Sequence, residues 1–359
     1  AWLAEMVSGG VSTYANMHFK LTTDINLRSL SWTPIGSSET NCFKGTFDGD
    51  NHFIDSITVT TGENLGMFGV IGGGATVNNL KVFVYMNNVT SQQSQYVDIN
   101  VGGIIAKAVD SKIVINNCQI YGSIHSNGTY IGSVGGIVGV CHTIIVNDCI
   151  SFCEINMDSE SGVFFVGGII GYVTHGGLVN RCYNYGNVTG RGRTGFTPKI
   201  GGCIGKVTSS LSQFKIQNSN NYGNVYTAII YSPYGATGVA ASASGILGIG
   251  SGTVDNCHNF GDITTANTTL DRNGYLAAGI VARNEGSCTV SNCHNEGLIH
   301  SRNVAYGIGP ATTAINCYNI GNVVSSNGTA HATTNCVFGI GGFNVINSYN
   351  VGILSGAAN

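Results

Sequence analysis

The chain has 359 residues, a net charge of −3 and only 9% charged residues, against roughly 25% in ordinary soluble domains. So few charges would suit a membrane protein, but no stretch nears the ~18 consecutive apolar residues of a spanning helix. The 15 basic residues are scattered singly, which excludes a nucleic-acid surface, abundant Val, Ile, Phe and Tyr exclude disorder, and 53 Gly without a three-residue period exclude collagen. The chain begins at Ala1 with neither Met nor a leader, as expected of a mature or excised segment. Trp2, Leu3, Met6 and Val7 share one helical face and Gly9-Gly10 stop it, so a short helix is predicted over Trp2 to Val7. "FDGDNH" (Phe47 to His52) gathers Asp48, Asp50, Asn51 and His52 without the spacing of a calcium loop and reads as a turn.

From Leu65 onward the sequence repeats. A small-small-apolar-apolar-small element recurs nine times, clearest as Gly135-Gly136-Ile137-Val138-Gly139 and Gly167-Gly168-Ile169-Ile170-Gly171. Its second glycine stands at 66, 103, 136, 168, 202, 245, 279, 307 and 339. A period near 34 with variable spacing describes a fixed frame carrying loops of unequal length. A second element, Val-x-x-Cys-x-Asn-x-Gly-x-Val/Ile, follows most copies, as in "VNRCYNYGNV" from Val179 and "VDNCHNFGDI" from Val254. In the latter, Cys257, Asn259, Gly261 and Ile263 alternate with His258, Phe260 and Asp262, which is strand periodicity. Val254 is out of phase with Cys257, so a corner is expected at Asp255-Asn256.

Three short strands per repeat, with Gly and Asn at corners where φ > 0 is wanted, predict an all-β, parallel β-helix of about nine turns. Each turn buries its apolar face only by stacking on the next, ~4.8 Å away. Residues 1–62 then form an N-terminal cap and first turns, the cap including the short helix, and residues 63–359 a single continuous solenoid. Stacking in register puts Cys118, Cys149, Cys182, Ser219, Cys257, Cys293, Cys317 and Ser348 in one column. It puts Asn184, Asn221, Asn259, Asn295, Asn319 and Asn350 in a second, expected to be a structural ladder of amides.

The runs "GGIVG…VNDC" and "GGIIGYVTHGGLVNRCYNYGNVTG" resemble the GLUG repeats of large surface and secreted proteins, among them adhesin-like proteins and the non-catalytic region of some bacterial IgA-cleaving metallopeptidases. The stretch from Leu21 to Ile57, "LTTDINLRSLSWTPIG" followed by "FKGTFDGDNHFIDSI", is similar to the segment that precedes such repeats. The resemblance implies that the β-helix is right-handed, and it implies an extracellular, cell-surface setting. It implies no chemistry, since the motif residues are turn and core residues.

Of the twelve cysteines, six lie in the column where Ser219 and Ser348 also occur. A position that accepts Cys or Ser asks for a small buried side chain, so free thiols are expected there. Among Cys42, Cys141, Cys153, Cys203, Cys288 and Cys336, one or two bridges stay open. Zinc spacing, recurrent carboxylate pairs and known nucleophile or phosphate motifs are missing from the sequence, and no enzyme, cofactor or metal is expected.

Binding is expected on the outside. The residue after the Cys column gives an outward stripe of Tyr183, Asn220, His258, His294, Tyr318 and Tyr349, fit either to meet a sugar or protein or to stack on itself. The longest loop, Tyr226 to Ser242, carries Tyr226, Tyr231 and Tyr234 and marks the candidate ligand edge. Five N-x-S/T sequons, at Asn88, Asn127, Asn187, Asn267 and Asn327, fall near that edge as candidate N-glycosylation sites, at a number composition alone would produce. The expected function is a non-catalytic extracellular adhesin-like module that displays a binding edge for a cell-surface glycan or protein. The alternatives are a structural subunit that self-associates into a filament or coat by β-helix stacking, and the scaffold region of a secreted peptidase. The last repeat ends at Asn359 without an obvious polar cap, as expected either of assembly with another chain or of a longer parent chain.

Overall fold

The computed structural model describes residues 2–28, 30–90, 99–110, 112–127, 131–159, 164–193, 197–208, 213–231, 241–267, 275–326 and 336–356. Nearly all regular structure in them is β. The helix expected at the N-terminus is present as α1 (Trp2–Ser8), and a second short one, α2 (Ser12–Ala15), follows it. α1 buries Ala4 and Val7 in the same apolar cluster as Phe43 and Phe68.

Every strand pairing among the described residues is parallel, and each strand meets its counterparts one repeat away, in three long sheets. In sheet A, Val179 pairs with Val146 on one side and Ile216 on the other. In sheet B, Val188 lies between Ile155 and Val225. In sheet C, Val166 lies between Val134 and Ile200. The chain visits C, A and B in turn before returning to C, which is the connectivity of a parallel β-solenoid. The inward residues of all three sheets form one core running from Ala4 to Val323, most of it wholly buried. Continuous stacking explains how so few charges suffice, because the interior is a column of Val, Ile and Cys covered rung by rung.

Of two corners, one follows the sequence expectation and the other does not. Between sheets A and B, the residue before each Cys-column position adopts φ > 0: Asn117 (50°), Asp148 (56°), Arg181 (53°), Asn218 (53°), Asn256 (51°), Asn292 (54°), Asn316 (53°) and Asn347 (46°). Asn and Asp tolerate this region best among non-glycine residues, and the corner at Asp255-Asn256 is where the phase break put it. Between sheets C and A, by contrast, the glycine pairs do not have φ > 0. They are glycine for space. A Cβ on Gly168, Gly202, Gly245, Gly279 or Gly307 would overlap the side chain of an Asn from the ladder and the carbonyl of the next turn, and one on Gly339 would overlap Asn350.

Candidate binding surfaces

The Asn column is a continuous chain of amide hydrogen bonds in the interior. Asn184 Nδ2 donates to Asn221 Oδ1 at 2.9 Å, Asn221 to Asn259 at 2.9 Å, Asn259 to Asn295 at 2.7 Å, Asn295 to Asn319 at 2.7 Å and Asn319 to Asn350 at 2.6 Å. Each Nδ2 also donates to the carbonyl two residues on, as Asn259 does to Gly261 at 2.8 Å. Both amide protons and the amide oxygen are thereby used in the inner members, which is the condition for burying the group at little cost. Asn184 Oδ1 opens the ladder without a partner, and Ser151, one rung before it, has a buried Oγ also without one.

The Cys column lies beside it. Ser219 Oγ accepts from the Cys182 backbone N–H at 3.0 Å, and Ser348 Oγ does the same for Cys317. Cys149 and Cys293 Sγ take that role for Cys118 and Cys257 at 3.4 Å. All twelve cysteines stand as free thiols, eleven of them buried. Burial pushes the thiols of Cys141, Cys153 and Cys203 far above the ordinary range and that of Cys288 up to about 12.

On the outside of sheet B the aromatic residues stack on one another. His258, His294, Tyr318 and Tyr349 form one run, with ring centroids 3.8, 4.6 and 5.5 Å apart. A second run, two residues further along each strand, joins Phe83, Tyr121, Phe152, Tyr185, Tyr222 and Phe260 at 4.6–5.1 Å with planes within 13°. The two meet at Phe260 and His294, edge to face at 5.6 Å. In parallel stacks at rung spacing each ring face is covered by the next ring, leaving the edges to solvent. A sugar needs a free face, so self-stacking is the role this geometry gives the stripe. The second run was readable in the sequence as the x of Asn-x-Gly, which is Tyr185, Tyr222 or Phe260 in successive repeats, and was missed.

Of the proposed ligand edge, Tyr226 is partly buried on the strand Val225–Tyr231, between Thr189 and Thr264. Tyr231 ends that strand, and Tyr234 lies outside the described residues. Ile229 of the strand packs with Ala241 and Tyr275 in a small apolar cluster separate from the core. Among the sequons, Asn88 and Asn187 are exposed. Asn187 Oδ1 accepts from the Asn224 backbone N–H at 2.9 Å. Asn127 and Asn267 end the strands Gln119–Asn127 and Ile263–Asn267, and Asn327 lies outside the described residues. The "FDGDNH" segment is a turn whose polar groups bond locally. Asp48 accepts from Asp50 N–H and Asn79, and His52 meets Asp24 at 3.0 Å.

A different surface carries the concavity. A cleft of about 590 Å³ lies where the outer face of sheet C meets the first half of sheet A. Sheet C contributes Asn64, Asn100, Ser133 and Phe165 from successive rungs; sheet A contributes Lys107, His142, Tyr172 and Thr174. Asn100 Nδ2 donates to Asn64 Oδ1 at 3.1 Å. Glu39 grips Lys107 at 2.7 Å, and Asp110 takes the Gly73 N–H at 3.1 Å. At one end the Phe165 and Tyr172 rings lie 4.8 Å apart, and Lys206 Nζ stands 4.8 Å from the first and 5.4 Å from the second. His142 stacks on His175 at 3.4 Å, and burial, then the neighbouring imidazole, holds its pKa below the ordinary value. This cleft has no signature in the sequence, because its residues come from outward positions of separate repeats with no shared motif. Among the described residues no group of three His, Cys, Asp or Glu is placed to hold a metal, and no helix is long and apolar enough to cross a membrane.

No protein-family model matches the chain, and no curated protein matches it. A solved structure described as a "putative immunoglobulin A1 protease" from Bacteroides ovatus is similar in fold, with a TM-score of 0.56 and 20% identity over 76% of this chain and 77% of that one. At that identity the likeness is one of fold.

Proposed function

We propose that this chain is a non-catalytic extracellular binding module, adhesin-like in role, built on a right-handed GLUG-type β-helix of about nine turns with α1 closing its N-terminal end. The observation that carries this reading is the cleft between sheets C and A. Amide and hydroxyl groups of Asn64, Asn100, Ser133 and Thr174 stand along it, with Phe165 and Tyr172 at one end. Amides and hydroxyls at rung spacing beside aromatic rings suit a polyhydroxylated chain such as a glycan. Glu39 is paired with Lys107 and Asp110 accepts from the Gly73 N–H, and with Glu63 also lining the cleft its carboxylates disfavour an anionic ligand. The reading puts the ligand in this cleft in preference to the Tyr226 edge.

Titration calorimetry against a panel of neutral and acidic polysaccharides tests the reading. Tyr172→Ala and Asn100→Ala are expected to abolish binding, and Tyr185→Ala, in the outer stack, to leave it unchanged. Binding that survives the first two variants, or is lost with the third, would sink the assignment. A second reading, the scaffold region of a secreted peptidase, is supported by the fold likeness to the Bacteroides ovatus protein. It is tested by joining the chain to a peptidase domain and measuring cleavage with and without it.

A further inference from the structure

We propose that the cleft ends in an anion subsite, where Lys199, Lys206 and Arg283, with the hydroxyls of Thr197, Ser242 and Ser244, take the carboxylate or sulfate group of an acidic sugar. The sugar rests on the glycan reading above; the anion site stands on the geometry of three consecutive rungs.

Strand register brings these groups together. Along the outer face of sheet C, Phe165 pairs with Lys199 and Lys199 with Ser242. Along sheet A, Tyr172 pairs with Lys206, Lys206 with Ile249 and Ile249 with Arg283. The rung beyond the Phe165–Tyr172 end of the cleft therefore carries a lysine on each wall. Lys206 Nζ stands 4.8 Å from the Phe165 ring and 5.4 Å from that of Tyr172, so it borders the cleft directly. Lys199 is only 5% exposed. Burial, and then the nearby Arg283, lower its pKa from 10.5 to about 8, with Glu285 opposing and Lys206 adding to the fall. The amine is thus still charged at pH 7. Glu285, 4.0 Å from Lys206 Nζ, is the carboxylate that meets this cluster among the described residues, and three cations against it leave positive charge in excess.

The hydroxyls are an independent observation. Ser242 and Ser244 are wholly buried on the strand that pairs with Lys199, and Thr197, two residues before Lys199, is 1% exposed. None of the three oxygens has a hydrogen-bond partner. Buried hydroxyls are nearly always paired, and each of these has a proton to give. Three such donors beside clustered cations suit an oxyanion, which accepts several hydrogen bonds at once and is held most strongly by charged donors. A neutral hydroxyl would satisfy the donors and leave the cations unmatched. The carboxylates Glu39, Glu63 and Asp110 line the cleft away from this end. They disfavour a chain that is anionic along its length, so the acid belongs to the one sugar beside Phe165 and Tyr172.

Calorimetric titration of the 359-residue chain with sodium glucuronate, sodium sulfate and glucose, at constant ionic strength, tests the site. Both anions are expected to bind, and glucuronate to bind roughly 10-fold or more tightly than glucose. Lys206 and Arg283 reach solvent, so Lys206→Gln and Arg283→Gln should fold normally by circular dichroism and each weaken both anions roughly 10-fold or more. Ser242→Ala should weaken both as well. Lys81→Gln, on sheet B, should change neither. Tyr172→Ala should weaken glucuronate and spare sulfate, which carries no sugar. Failure of both anions to bind at millimolar concentration overturns the proposal, as does binding that survives Lys206→Gln and Arg283→Gln. Sulfate held through these residues, with glucuronate and every polysaccharide failing, keeps the anion site and overturns its link to a sugar together with the glycan reading.

Discussion

Gly168 and Asn184 touch so closely that a Cβ on the glycine would overlap the Asn184 amide, with the Gly202 carbonyl on its other side. The glycine of one corner and the ladder Asn of the same rung therefore form one device. The glycine removes its side chain so that the amide can lie flat against the backbone and reach Asn221.

Gly168→Val should therefore cost about 3 kcal/mol or more, since the backbone around it cannot yield without breaking the ladder. Gly176→Ala is the control: the space there is open, the nearest atom being Gln213 Cβ at 3.9 Å. It should stay within about 1 kcal/mol of the parent. Urea unfolding measures both, and equal midpoints would show that the corner glycines are not spatially required.

Asn259→Leu should be worse than Asn350→Leu. Asn259 is wholly buried, accepts from Asn221 and donates to Asn295 and to Gly261. Removing it strands three partners, each worth roughly 1–3 kcal/mol when left unsatisfied in the interior. Asn350 is partly exposed and has one ladder neighbour, so water can take over. The comparison is made on melting temperature, and an equal loss at the two positions would contradict a cooperative internal ladder.

Cys257→Ser should cost no more than about 1 kcal/mol, because Ser219 and Ser348 already fill the same column with good hydrogen bonds. Native protein treated with a thiol reagent should label Cys336 first, the one cysteine that is not fully buried, and the other eleven only on unfolding. Rapid labelling of several thiols without denaturant would mean that the core opens far more readily than its packing indicates.

The period of 34, the strand phase around Cys257 and the two columns were legible because a solenoid writes each structural position once per repeat. Residues that must be small, apolar or amide-bearing in every turn announce themselves by recurrence. The reason for the glycine pairs was not legible: φ and space demand the same residue, and only the position of Asn184 against Gly168 separates them. The cleft was not legible for the opposite reason. Asn100, Ser133 and Phe165 follow one another in a column without repeating any residue type, so no motif marks them. The Phe83-to-Phe260 stack falls between these cases, since its aromatic residues recur at one motif position but are interrupted by Glu296 and Ile320 in later repeats.

The His258–His294 stack makes stability depend on pH. Burial, and then the neighbouring His294, lower the His258 pKa from its ordinary 6.5 to about 4, and burial lowers that of His294 as well. Both rings are therefore neutral at pH 7, and the 3.1 Å contact of His294 Nε2 with Glu296 is then a hydrogen bond rather than an ion pair. Asn220 and Tyr318 flank the pair, and among the described residues Glu296 is the charge that faces it. Because the folded pKa lies below the unfolded one, the unfolded chain binds more protons between the two values, and stability rises with pH through that window. The His258 contribution is complete above pH 6.5 and is lost as pH falls towards 4. Part of the ring is open to solvent, so the size after screening is on the order of 1 kcal/mol. His258→Asn, which places at this rung the residue already found at Asn220, should flatten the fall in melting temperature between pH 7 and pH 4.5. An unchanged slope in that variant would assign the acid sensitivity to other groups.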